Sequence, residues 1–127
     1  MGVATGAIWW VEDVVANQSP IFIKTEAFML WLLHHVKHFP REERFRLTAR
    51  IEHILFSFHE NLLYAAKTQD AVNCLRKADA EFDMLRTYLR FSLELKYTSS
   101  DQYHYASEQM VEIGKLLGAW LKKASSG

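Results

Sequence analysis

Apolar residues recur at steps of three and four along most of this chain, the spacing that keeps one face of a helix in register. No stretch shows the strict alternation of a half-buried strand. The pattern predicts a first helix over about Phe22 to His38. Within it Phe28-Met29-Leu30-Trp31-Leu32-Leu33 is apolar all round, and a helix without a polar face is covered on more than one side. In a domain this small, that points to an oligomer interface beside the core.

A second helix is predicted from Pro40, a favoured first helical residue. Glu42 and Glu43 would sit in its first turn, where carboxylates suit the helix dipole. Its stripe is Leu47, Ile51, Ile54, Leu55, Phe58, Leu62 and Ala65, and it ends near Lys67. The third begins after Thr68 or Asp70, both good caps, carries Leu75, Ala78, Phe82, Leu85 and Leu89, and ends near Lys96. The fourth opens on Ser99-x-x-Gln102, a capping-box pattern, and carries Ala106, Met110, Ile113, Leu117 and Trp120-Leu121 before a basic end at Lys122-Lys123. Four helices with short connections predict an all-α, antiparallel up-down-up-down four-helix bundle over residues 20–124.

Residues 1–19 form an extension whose structure the pattern does not define, and Asn17-Gln18-Ser19-Pro20 reads as a turn or linker. Trp9 and Trp10 dock either on a partner or on the chain's own core, the second being the preferred reading.

Gly114 and Gly118 interrupt the apolar fourth helix. Each costs roughly 1 kcal/mol relative to alanine. A close helix crossing at these two positions, beside Trp120, would recover that cost.

Composition narrows the function. Of 127 residues, half are apolar, which suits one globular domain. Fifteen basic residues balance fifteen acidic ones, so a nucleic-acid surface must be local. Cys74 is the single cysteine. It rules out an internal disulfide or a multi-cysteine zinc site, fits a reducing compartment, and is expected as a buried structural thiol. The apolar run Ala7-Ile8-Trp9-Trp10-Val11 has no Lys or Arg before it and is followed by Glu12 and Asp13, so it does not read as a secretory signal. No apolar run is long enough to span a bilayer. A soluble cytoplasmic protein without a membrane partner is expected.

There is no phosphate-binding glycine loop, no nucleophile elbow, and no Glu-x-x-His pair of the kind di-iron bundles use. His34 and His38 share a helix face, as in many metal sites, but no third ligand accompanies them. Arg46 and His53, with six residues between them, have the spacing of a motif in HEPN-type helical RNases, a reading that needs both on one face of the second helix. Chance explains that spacing in so basic a helix. No catalytic residue, metal site or cofactor is expected.

The basic residues carry more. Lys37, Arg41, Arg44, Arg46 and Arg50 place five positive charges within fourteen residues, with Glu42 able to pair with Arg46. On the third helix Arg76, Asp79, Asp83, Arg86 and Arg90 form a charged stripe. Asp83 can reach Arg86, while Arg86 and Arg90 stand four apart as a like-charged pair that an external anion would relieve. A solvated face with partial internal pairing is the plainer account.

Four segments in order resemble one family: Pro20-Ile21-x-x-Lys24-Thr25, Phe39-Pro40-Arg41-x-x-Arg44-Phe45-x-Leu47-x-x-Arg50-Ile51, Leu85-Arg86-x-x-Leu89-Arg90, and Glu112-Ile113-Gly114-Lys115-Leu116-Leu117-Gly118-Ala119-Trp120-Leu121. The chain is similar there to the four-helix-bundle proteins that include the accessory variability determinant (Avd) of diversity-generating retroelements, and to their relatives encoded by ribosomal-RNA intervening sequences. The resemblance implies a homopentameric barrel with a basic inner surface. It implies binding to a reverse transcriptase and to structured RNA or an RNA/DNA duplex in support of error-prone cDNA synthesis, without catalysis. It places the nucleic-acid surface on Arg86 and Arg90, with Lys115 and with Arg41, Arg44, Arg46 and Arg50 as a second patch. The alternative is an interaction bundle of the intervening-sequence type with no retroelement.

Overall fold

A computed structural model describes residues 19–126. The expected extension over residues 1–19, and the docking of Trp9 and Trp10, therefore lie outside the described residues but for Ser19. Four helices form: α1, Pro20–Val36; α2, Leu47–Lys67; α3, Ala71–Glu94; and α4, Ser100–Ser126. A 3-10 turn, Arg41–Glu43, precedes α2, and there is no strand among the described residues.

Each predicted stripe turns inward. Leu32, Ile51, Leu62, Leu75, Ala78, Leu85 and Ile113 are wholly excluded from solvent. Phe58 stacks on Phe82 with ring centroids 4.9 Å apart, joining α2 to α3 along the most extensive helix contact in the bundle. Glu26 reaches His59, Phe22 meets Trp120 edge-on, and Trp31 lies against Tyr105. Phe22, near the start of α1, meets a residue near the end of α4, and Trp31, near the end of α1, meets one near the start of α4, so α4 returns antiparallel beside α1. The capping box at α4 forms in full. Ser99 Oγ accepts from the Gln102 amide at 3.1 Å, and Gln102 Oε1 accepts from the Ser99 amide at 2.8 Å.

Three expectations are corrected. First, α2 begins at Leu47 and not at Pro40. Glu43 is turned inward, only 4 % exposed, and its carboxylate accepts from the Leu47 amide at the new helix start. Arg46 accordingly pairs with Glu43 at 3.4 Å instead of with Glu42. Second, the two glycines do not mark a backbone crossing. A Cβ on Gly114 would stand 2.9 Å from Arg86 Nη2, so the glycine makes room for a side chain. Gly118 is exposed and, among the described residues, has nothing within 4 Å of its missing Cβ, so a larger residue there overpacks none of them. Third, Cys74 is half-buried, at the margin of the core.

The apolar all-round character of α1 leaves its outer face uncovered. Ile23 and Leu30 are 53 % and 72 % exposed, and Ala27 between them is exposed as well. These positions share the face opposite Phe28 and Leu32.

Candidate nucleic-acid interface

The end of the bundle where α1 gives way to α2 is basic. Lys37 closes α1, Arg41 opens the 3-10 turn, and Arg44 follows it. All three are exposed, and they line a hollow of about 420 Å³ in which Glu52 is the one acid. Among the described residues no ion pair engages Lys37, Arg41, Arg44 or Arg50. Their charge is therefore available to an anion.

A second hollow of about 560 Å³ lies between the start of α2 and the end of α3. Arg46 and Arg50 stand over a lining that includes Phe45, Tyr88, Phe91 and Leu95. Phe45 is 85 % exposed, the most exposed large apolar side chain described. Cations beside an open aromatic ring suit a nucleic-acid strand, since phosphates take the charge and bases stack on the ring. Phe45 stands in the second of the family-like segments, but no periodicity in the sequence marks it as a surface residue.

The other expected surface is already occupied by its own partners, and Arg90 borders the second hollow through Phe91 and Glu94. Arg86 donates to Asp83 at 2.6 Å, its guanidinium lies 4.4 Å from the centre of the Phe82 ring, and Gly114 lets it lie close to α4. Arg90 meets Glu94 at 3.7 Å. The like-charged pair is thus relieved within α3 and needs no external anion. Lys115 is exposed and follows Gly114 on α4, away from the basic end. Trp120 is half-buried against Phe22.

Two buried polar links hold the basic end in shape, and the sequence pattern announced neither. Tyr97, in the α3–α4 turn, donates to Glu43 Oε2 at 2.7 Å. That hydrogen bond chiefly, helped by the Leu47 amide and Arg46, holds the Glu43 carboxyl below its ordinary value against the opposing effect of burial. The same bond chiefly raises the Tyr97 phenol. Behind them His35 Nε2 lies 2.9 Å from Thr98 Oγ1, which lies 2.7 Å from Ser92 Oγ, which donates to the Leu89 carbonyl at 2.6 Å. The carbonyl can only accept, so each hydroxyl donates toward it and His35 must donate from Nε2. Burial first, then His38 and His34, lower the pKa of His35.

The RNase arrangement does not form. Arg46 is the residue before α2, paired with Glu43, while His53 lies farther along α2 beside a different hollow. His34 and His38 do lie together, their ring centroids 5.0 Å apart. Yet among the described residues no group of three or more His, Cys, Asp or Glu could hold a metal ion.

Fold and surface thus define a class, a small all-α bundle with a basic end where, among the described residues, Lys37, Arg41, Arg44 and Arg50 have no ion pair. Within that class the chain belongs to the bAvd-like family, whose profile matches residues 20–124. A comparison with curated proteins gives no match. No helix among the described residues is long and apolar enough to cross a membrane.

Proposed function

We propose that this chain is a non-catalytic accessory protein of a diversity-generating retroelement, acting in the cytoplasm. In this reading it binds the reverse transcriptase and its structured template RNA and so supports mutagenic cDNA synthesis. The observation that carries the reading is the bAvd-like match, which spans the bundle from the start of α1 almost to the end of α4 and includes the basic end. Residues 1–19 are an appendage to that working unit.

The free cations reorder the surface expected from sequence. Arg41, Arg44 and Arg50 become the principal phosphate contacts, and Arg86, Arg90 and Lys115 a secondary one. The uncovered Ile23, Ala27 and Leu30 face supports assembly with further copies, in a pentameric ring by family resemblance. A ring repeats each arginine, so one substitution removes several contacts.

The test is a salt titration of structured-RNA binding, with circular dichroism as the folding control. Each phosphate contact contributes about 0.7 to 0.9 to the logarithmic salt slope. The Arg41→Ala, Arg44→Ala, Arg50→Ala triple variant should flatten that slope and weaken binding more than Arg86→Ala with Arg90→Ala. Unchanged slope and affinity in a folded triple variant would remove the basic end from the interface. Failure to bind RNA, or the lack of a reverse transcriptase gene beside this one, would favour the intervening-sequence type of bundle, without a retroelement.

A further inference from the structure

At the opposite end of the bundle, where α1 begins and α4 finishes, lies an apolar hollow of about 450 Å³. Pro20, Phe22, Ala66, Leu116, Ala119 and Trp120 form most of its wall. Lys123 is the one charged residue on it, and among the described residues Lys123 has no ion pair. Ser19, where the described chain begins, is itself part of the wall. The eighteen residues before it are therefore tethered at the hollow's edge.

We propose that Ile8-Trp9-Trp10-Val11 of the same chain occupies this hollow, with Glu12 or Asp13 meeting Lys123. The sequence of the tether matches the surface in order and in kind. The four apolar residues come first, the two acids next, and Val14 to Gln18 then leads to Ser19. Those five residues reach roughly 17 Å when extended, more than the 8–10 Å between packed helix axes, so the segment can fold back across the hollow. A tryptophan side chain buries on the order of 150–250 Å², which suits a pocket already walled by Trp120 and Phe22. So short a tether presents the segment at an effective concentration of about the millimolar range, which favours its own chain over a second copy.

The experiment uses the full chain with a photoreactive benzoylphenylalanine at position 9 and hydrogen exchange of the segment around residues 8–11. A mixture of isotopically heavy and light protein separates crosslinks within a chain from crosslinks between chains. The proposal expects within-chain adducts on residues 116–123 and amide exchange slowed at least about tenfold relative to an unprotected peptide. Ala119→Glu places a charge at an exposed wall position and should return exchange to the unprotected rate with unchanged helicity. Trp9→Ser with Trp10→Ser should do the same from the segment's side, without touching the bundle. Unprotected exchange in the wild type, protection that survives both variants, or adducts found only between chains would each overturn the assignment. The last result would seat the segment on a second copy.

Discussion

Gly114 and Gly118 sit one helical turn apart and meet opposite surroundings. Gly114 leaves space into which the Arg86 guanidinium lies, over the Phe82 ring, whereas Gly118 faces open space. Gly118→Ala should therefore recover the helix propensity and raise stability by about 1 kcal/mol, measured by urea unfolding. A loss of stability would show that something packs at that position after all. The apolar positions were legible because burial at Leu75, Phe82, Leu85 and Leu89 follows from helical spacing alone. The reach of Arg86 to Gly114 was not, because it depends on how two helices pack at that level.

The shortened α2 shows the same divide at the level of the element. Pro40, Glu42 and Glu43 form a sound local start signal, and the capping box at Ser99 is of the same local kind and forms as read. What overrides the signal at Pro40 is Tyr97, 54 residues beyond Glu43, whose hydroxyl draws the carboxylate inward. Acid should weaken the folding of this end through two groups, His35 from about pH 6.5 downward and Glu43 from about pH 4.5 downward. A histidine with a lowered pKa binds fewer protons folded than unfolded, so its contribution is complete above the ordinary value of 6.5 and is lost as pH falls through its folded value. Glu43, also lowered, contributes above 4.5 and loses its contribution at still lower pH. His35→Gln, which retains a donor for Thr98, should flatten the fall in melting temperature just below pH 6.5 and leave the more acidic fall in place. An identical pH profile in wild type and variant would show that His35 does not carry the fall below pH 6.5.

Taken as a whole, the molecule buries each predicted core stripe yet leaves Ile23, Ala27 and Leu30 in solvent. The apolar run in α1 made that excess legible, while the copy number that would cover it is not written in one chain. Ile23→Glu with Leu30→Glu should yield a folded monomer by light scattering where the wild type assembles. An unaltered particle mass would place the contact elsewhere. The contact between α2 and α3 has a consequence in time. These helices are joined by only Thr68 to Asp70 and pack along their length, whereas α1 touches α2 the least of the neighbouring helix pairs. Contacts near in sequence cost the least loop entropy to close, so the α2–α3 hairpin should organise the folding transition state and α1 should dock after it. Phe82→Leu should then act mainly by slowing refolding, and Val36→Ala mainly by hastening unfolding, in stopped-flow denaturant experiments. If the two variants exchanged these effects, the order of assembly would run the other way, with the outer helix leading and the hairpin closing last.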